Sequence, residues 1–172
     1  KNLKTKNVYG KIIRLVELQL QNIFFNSKTK LLIIQPSLVY GPQVKGNLFF
    51  LQKYIAKSPI VILPNIDNKR NLIHIDNLIK LIDFVTFINF KPSIYTFSDE
   101  RAYSFFEISN AINLIYKKKI IFVNIPNIIL KLISYFNIKL LNKIFSNEIY
   151  KNTNLKEYGY EEIMKIENFN ET

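Results

Sequence analysis

No cysteine occurs in the 172 residues, which excludes a disulfide framework, a thiolate metal site and a cysteine nucleophile. Tryptophan is absent too, and a single histidine, His74, rules out a histidine-rich metal centre. Glycine is scarce: Gly10, Gly41, Gly46 and Gly159 are all there are, and no G-x-G-x-x-G or Walker loop can be written from them. Nothing in these residues can therefore cradle a pyrophosphate on a Gly-rich turn at a helix N-terminus. Acidic residues are few, 13 against 24 Lys and Arg, for a formal net charge of +11. Such a balance ordinarily points to nucleic acid or an anionic membrane surface. Only three of the cations are arginines (Arg14, Arg70, Arg101), while Lys, Ile, Asn, Phe and Tyr abound. Those are residues that adenine- and thymine-rich codons favour, so much of the lysine excess reads as drift spread over the surface.

What is present is a core. Hydrophobic residues at 48% and charged residues at 22% exclude wholesale disorder, and the length suits one domain. The basic, polar start at Lys1 carries no signal-peptide pattern, and a cytoplasmic protein is expected. The most membrane-like stretch, Ile120 to Phe145, is broken by Asn124, Pro126 and Asn127 and carries Lys131, Lys139 and Lys143. It reads as a short strand, a turn and an amphipathic helix from Asn127, and no transmembrane segment is expected.

The periods alternate along the chain. Tyr9 to about Asn26 reads as a helix with Ile12, Val16, Leu20 and Ile23 on one stripe. Leu31–Ile34 has the pattern of a strand buried on both faces, ending at Pro36. Asn47–Ile55 is helical and Ile60–Leu63 strand-like. Leu72–Ile75 is a strand, followed by a helix from Asn77 to about Asn89 with Asp76 as its N-cap. Ile94–Phe97 is a strand, Ser104 with Glu107 has the spacing of a capping box, and Ile120–Val123 is a further strand. The alternation predicts an α/β domain with parallel pairing and no internal linker.

A few residues carry chemistry of their own. Pro36 has no N–H and should end its strand. Asn47 suits either a helix cap or a contact to ligand oxygens. Arg70 offers a planar fork that matches a diphosphate better than a lysine does, although a lone arginine more often sits in water. His74, between Ile73 and Ile75, reads as structural, and Lys117–Lys119 as the solvated C-terminus of a helix.

Three segments together carry a resemblance. They are Q-P-S-L-V-Y-G-P at Gln35–Pro42 with G-N-L at Gly46–Leu48, R-N-L-I-H-I-D-N-L at Arg70–Leu78, and T-N-L-K-E-Y-G-Y at Thr153–Tyr160. In this order the chain resembles the extended short-chain dehydrogenase/reductase family, specifically its NAD-dependent nucleotide-sugar epimerases, dehydratases and 4-ketoreductases. The resemblance implies an α/β fold: the C-terminal part of a Rossmann-type doubly wound sheet plus the small substrate-binding α/β subdomain. Residues 1–172 would be the C-terminal portion of such a domain, with the Gly-rich dinucleotide-binding half absent. It implies chemistry at C4 of a UDP-sugar for surface polysaccharide, with NAD as cofactor. By the same resemblance Pro36, Ser37 and Val39 would line the nicotinamide. Asn47, Leu48 and Arg70 would hold the UDP group, with Val61 and Leu63 near the uracil.

The catalytic stretch departs from the family. Relatives carry Y-x-x-x-K, in which a tyrosinate exchanges a proton with the sugar hydroxyl; here Tyr9 is present and Ile13 occupies the lysine position. An alkyl group supplies neither charge nor hydrogen bond, and Lys11 lies on another face of the helix. The upstream Ser or Thr falls outside the chain, and Gln35 stands where relatives often have arginine. Little or no activity is expected from this chain alone, and NAD binding by it is not expected. Two alternatives belong to other classes: a basic module for nucleic acid or a membrane surface, for which no motif is found, and a structural partner completing a separately encoded N-terminal half.

Overall fold

In the computed structural model, described for residues 8–43, 45–88, 91, 93–124, 147–150 and 156–169, helices and strands alternate as expected of an α/β chain. Helix α1, Val8–Phe24, precedes strand β1, Leu32–Pro36, and the short strand β2, Leu38–Tyr40. Helix α2, Asn47–Lys57, leads to β3, Ile60–Pro64, and β4, Arg70–His74. Helix α3, Ile75–Phe87, is followed by β5, Ser93–Phe97, and β6, Ala102–Tyr103. Helix α4, Phe105–Tyr116, and β7, Lys119–Val123, come next, with 3-10 turns at Lys156–Tyr158 and Ile166–Asn168. The helix expected from Asn127, and Thr153–Leu155 of the closing motif, lie outside the described residues.

The pairing is parallel between β1 and β5 (Leu32 opposite Ser93, Pro36 opposite Phe97), between β2 and β4 (Leu38 opposite Leu72), and between β3 and β7 (Ile60 opposite Lys119). One pair is antiparallel, β4 with β6, where Arg70 faces Tyr103. That pair involves the two-residue β6, a strand the sequence did not mark, which β5 reaches by a tight return with no crossover helix.

Two buried clusters hold the chain together. The first joins Leu48, Leu51 and Ile55 of α2, Val61 and Leu63 of β3, and Ile108 and Ile112 of α4 to Tyr40, Leu72 and Phe169. The second joins Ile73, Leu81, Val85, Phe97 and Tyr160. Strand β4 lies between them and is buried at every residue. Its alternating side chains, Leu72 in one cluster and Ile73 in the other, follow from the two-residue strand period.

Several local expectations are corrected. β1 is half-buried, not buried on both faces, since among the described residues only β5 pairs with it. Pro36 closes β1 without ending its pairing, because the Ser37 N–H donates to the Phe97 carbonyl at 2.9 Å. The cap of α3 is His74, whose imidazole Nδ1 accepts from the Asp76 N–H at 3.2 Å; Asp76 is already in the first turn. The stripe read on α1 is uncovered, with Ile12, Val16 and Ile23 exposed, while the buried residue of the helix is Glu17. The capping box at Ser104 and Glu107 is present as expected. Among the described residues no helix is long and apolar enough to cross a membrane.

Candidate active site at the end of the first parallel pair

Where β1 and β5 end, the chain brings three of the expected positions together. The Ser37 N–H joins Phe97, the Asn71 side chain donates to the Ser98 hydroxyl at 3.0 Å, and the Asp99 N–H donates to the Leu72 carbonyl at 2.7 Å. With Leu38 opposite Leu72, Arg70 falls at the level where the chain passes from β1 into β2. The carboxyl ends of β1 and β5 and the amino end of β4 therefore meet. Ligands of open α/β sheets bind outside strand carboxyl ends, so this junction is the candidate site.

Pro36 is exposed there, Ser37 is buried and Val39 half-buried against the second cluster. The Ser37 hydroxyl has no hydrogen-bond partner among the described residues. A buried hydroxyl left over at this position fits a ligand amide or carbonyl. Tyr9 is exposed on α1. The helix is anchored at Glu17, which accepts from the Gln35 amide at 2.6 Å and from Arg14 at 3.4 Å. Phe24 at the far end of α1 lines one cavity with Leu31 and Ile33, so α1 runs back against β1. Tyr9 then lies about 12 Å along the axis from Glu17, beyond the carboxyl end of β1. Ile13, one turn on, is partly exposed beside it.

The positions expected to hold a nucleotide divide. Asn47 opens α2 after Gly46, half-buried and with no side-chain cap of the helix assigned to that turn. Leu48, Val61 and Leu63 are core residues, so any ligand contact they make runs through their backbone. Arg70 is 3% exposed, far from the solvated charge that a lone arginine usually is. One terminal nitrogen, Nη2, donates to the Glu148 carboxylate, while Nε and Nη1 are buried without a partner among the described residues. A cation buried with donors to spare is a costly arrangement unless anions complete it.

Beneath the site lies a polar hub that reading the sequence missed. The Asp99 carboxylate accepts from the His74 N–H (3.2 Å) and the Asn77 amide (2.9 Å) and faces the Tyr40 phenol. Burial, and then the Asp99 charge, push the Tyr40 phenol well up, so it remains protonated. Asn77 also accepts from the backbone of Ile163 and Met164 at 3.0 Å, and Tyr160 donates to its carbonyl at 2.8 Å. This hub pins the closing segment to α3. At Gly41, with φ near 134°, a Cβ would meet Ile75 at 2.8 Å and His74 at 3.1 Å, which is why glycine ends β2. His74 and Asp99 are thus structural, and the only sequence signal for the hub was the H-I-D-N run itself.

With this geometry in view, comparison with known proteins is direct. Over 75 residues, 43% of this chain, the sequence is 37% identical to a UDP-glucose 4-epimerase of Vibrio cholerae, covering 23% of that protein. The structure superposes on a UDP-N-acetylglucosamine 4-epimerase from Bacillus cereus with a TM-score of 0.68, covering 92% of this chain and 52% of that one at 12% identity. A dTDP-glucose 4,6-dehydratase from Bacillus anthracis, solved in complex with NAD, gives 0.67 over 97% and 50%, at 14% identity. The fold is that of the nucleotide-sugar epimerases and dehydratases. No family model matches the chain. This epimerase/dehydratase-like chain spans about half the length of the solved structures it matches. The resemblance read from the sequence is borne out.

Proposed function

We propose that this chain forms the nucleotide-sugar-binding part of an NAD-dependent epimerase, dehydratase or 4-ketoreductase that acts on a UDP-sugar, in the cytoplasm, for surface polysaccharide. The observation that carries the reading is Arg70: a nearly fully buried guanidinium with spare donors, level with the end of the first parallel pair. A diphosphate presents the anionic oxygens such a fork is shaped to take. Asn47 at the start of α2 would join it on the phosphates or uracil, and backbone groups of Leu48, Val61 and Leu63 would border the base. Pro36, Ser37 and Val39 would border the nicotinamide, with the spare Ser37 hydroxyl as its polar contact.

The residues of this chain fit the nicotinamide end of a dinucleotide and no more, since they hold no Gly-rich turn. When bound, NAD supplies the hydride acceptor for oxidation at C4. Tyr9 would take the proton of the sugar hydroxyl, but Ile13 at the partner position supplies neither charge nor hydrogen bond. A completing dinucleotide-binding unit is therefore required, whichever polypeptide provides it. The chain by itself is a nucleotide binder with little turnover.

The test is titration calorimetry of the 172-residue chain with UDP. Saturable binding is expected, weakened about tenfold or more in Arg70→Met, the factor a charge-assisted hydrogen bond carries. Equal affinity in the two proteins would remove Arg70 from the site. Binding of duplex DNA with steep salt dependence, and none of UDP, would favour the basic-module alternative.

A further inference from the structure

Arg70 already holds one anionic partner within the molecule. Residues Asn147–Tyr150 lie along the start of β4 as a strap. The Glu148 N–H donates to the Lys69 carbonyl at 3.0 Å and the Asn71 N–H to the Glu148 carbonyl at 2.9 Å. The Asn147 side chain accepts from the Lys69 N–H, and the Asn71 side chain accepts from the Tyr150 N–H, both at 2.7 Å. This zipper delivers the Glu148 carboxylate to Arg70 Nη2. The Arg70 side chain is 4% exposed and that of Glu148 is 38% exposed. Among the described residues, then, the carboxylate covers the guanidinium while its own outer side meets water.

We infer that Glu148 is a built-in competitor for the phosphate position: its carboxylate occupies the Arg70 guanidinium, and an anionic ligand binds there by displacing it. The inference rests on the reading of Arg70 as the diphosphate contact. A carboxylate and a phosphate are the same kind of partner to a guanidinium, two anionic oxygens matched to a planar donor fork. Displacement needs only a side-chain rotation into the water that Glu148 already touches, and the backbone zipper can stay closed. With Glu148 in place, Arg70 is not left as a bare buried charge when the site is empty. The exchange lowers affinity, because every bound nucleotide must first break an ion pair. Glu148 is thus a specificity-determining residue: a monoanion gains little from replacing one carboxylate, while a diphosphate brings a second charged phosphoryl group to the same guanidinium.

The experiment is calorimetric titration of the whole chain, as wild type, Glu148→Gln, Glu148→Asp and Arg70→Met, with UDP and separately with inorganic pyrophosphate. Glu148→Gln should tighten both ligands by about tenfold. Glu148→Asp, which keeps the charge but draws it back by one methylene, should tighten them less, and it serves if the glutamine variant does not fold. Without ligand, Glu148→Gln should melt lower than wild type, and pyrophosphate should restore it. Unchanged affinities in both Glu148 variants, with binding still dependent on Arg70, would overturn the inference and leave the nucleotide reading standing. Tightened pyrophosphate binding with no response to UDP would support the inference and overturn that reading. No binding of either anion to any of the four proteins would overturn both.

Discussion

Asp99 is buried beneath the end of β4, and its carboxyl is pushed above the usual carboxylate range. Burial is the larger cause, and it outweighs the hydrogen bonds from Asn77 and the His74 N–H and the nearby Tyr40 phenol, which favour the charged form. Between the unfolded and the higher folded value, the folded chain holds a proton that the unfolded chain has released. Stability from this group is complete below the unfolded aspartate value of about 3.9 and is lost as pH rises through the higher folded value. In Asp99→Asn that loss disappears. Urea unfolding across the mildly acid range should show the variant gaining on the wild type as pH rises; a constant difference between them would count against the assignment. None of this was legible beforehand, because Asp99 sits in an ordinary S-D-E-R turn and becomes special only when β4 packs over it. Arg70 was legible as a motif residue, but its burial and its pairing with a glutamate 78 positions later were not.

At the scale of elements, local rules worked where the partners are close in sequence. Ser104 accepts from the Glu107 N–H at 3.1 Å, and the Glu107 carboxylate reaches back to the Ser104 N–H at 2.8 Å while also taking Arg101 at 2.6 Å. For Glu107 burial opposes the charge, yet those donors overcome it and hold the carboxyl below its ordinary range. Ser104→Ala should cost about 1 kcal/mol of stability, read by denaturant midpoint, since it removes one half of a reciprocal cap. No measurable loss would mean that the first turn of α4 is satisfied by other groups. The cap of α3 was misplaced by two residues because imidazole nitrogen seldom serves there, and nothing local distinguishes His74 from Asp76. The stripe of Ile12, Val16 and Ile23 on α1 was legible as a helical face, and the tertiary structure leaves it uncovered while seating Glu17 against Gln35.

For the molecule as a whole, that outward face has a consequence. With Val8, Leu15 and Phe25 it forms an exposed apolar surface larger than scattered single residues would give. The isolated chain should associate at micromolar concentration in sedimentation velocity, and Ile12→Asp with Val16→Asp should shift it toward monomer. A monomeric wild type with a sharp, reversible unfolding transition at high temperature would sink this expectation. Under the proposed function, catalysis also needs the completing dinucleotide-binding unit. Ile13→Lys restores the cation beside Tyr9, and a positioned acid–base pair contributes roughly 10²–10⁴-fold. In the chain alone the change should rescue no UDP-sugar epimerisation or NAD turnover, and NAD should not bind at submillimolar concentration. With a dinucleotide-binding unit added, the Ile13→Lys protein should turn over and the unmodified one remain nearly inactive. Robust turnover with Ile13 in place would show that the site is not disabled.

Alternating periods, the apolar runs ahead of Pro36 and Pro64 and the capping box determined an α/β chain from sequence alone, because each depends on neighbours within a turn or two. That an uncharged Ile13 stands four residues after Tyr9 was equally plain, since it is a matter of spacing along one helix. Which faces are covered, and where charges come to rest, only the tertiary structure decided. Glu17 with Gln35, Asp99 with His74, and Glu148 with Arg70 are pairs whose members are 18, 25 and 78 residues apart. No local periodicity encodes such distances, and the cost of burying a charge is settled only by what the fold brings to meet it.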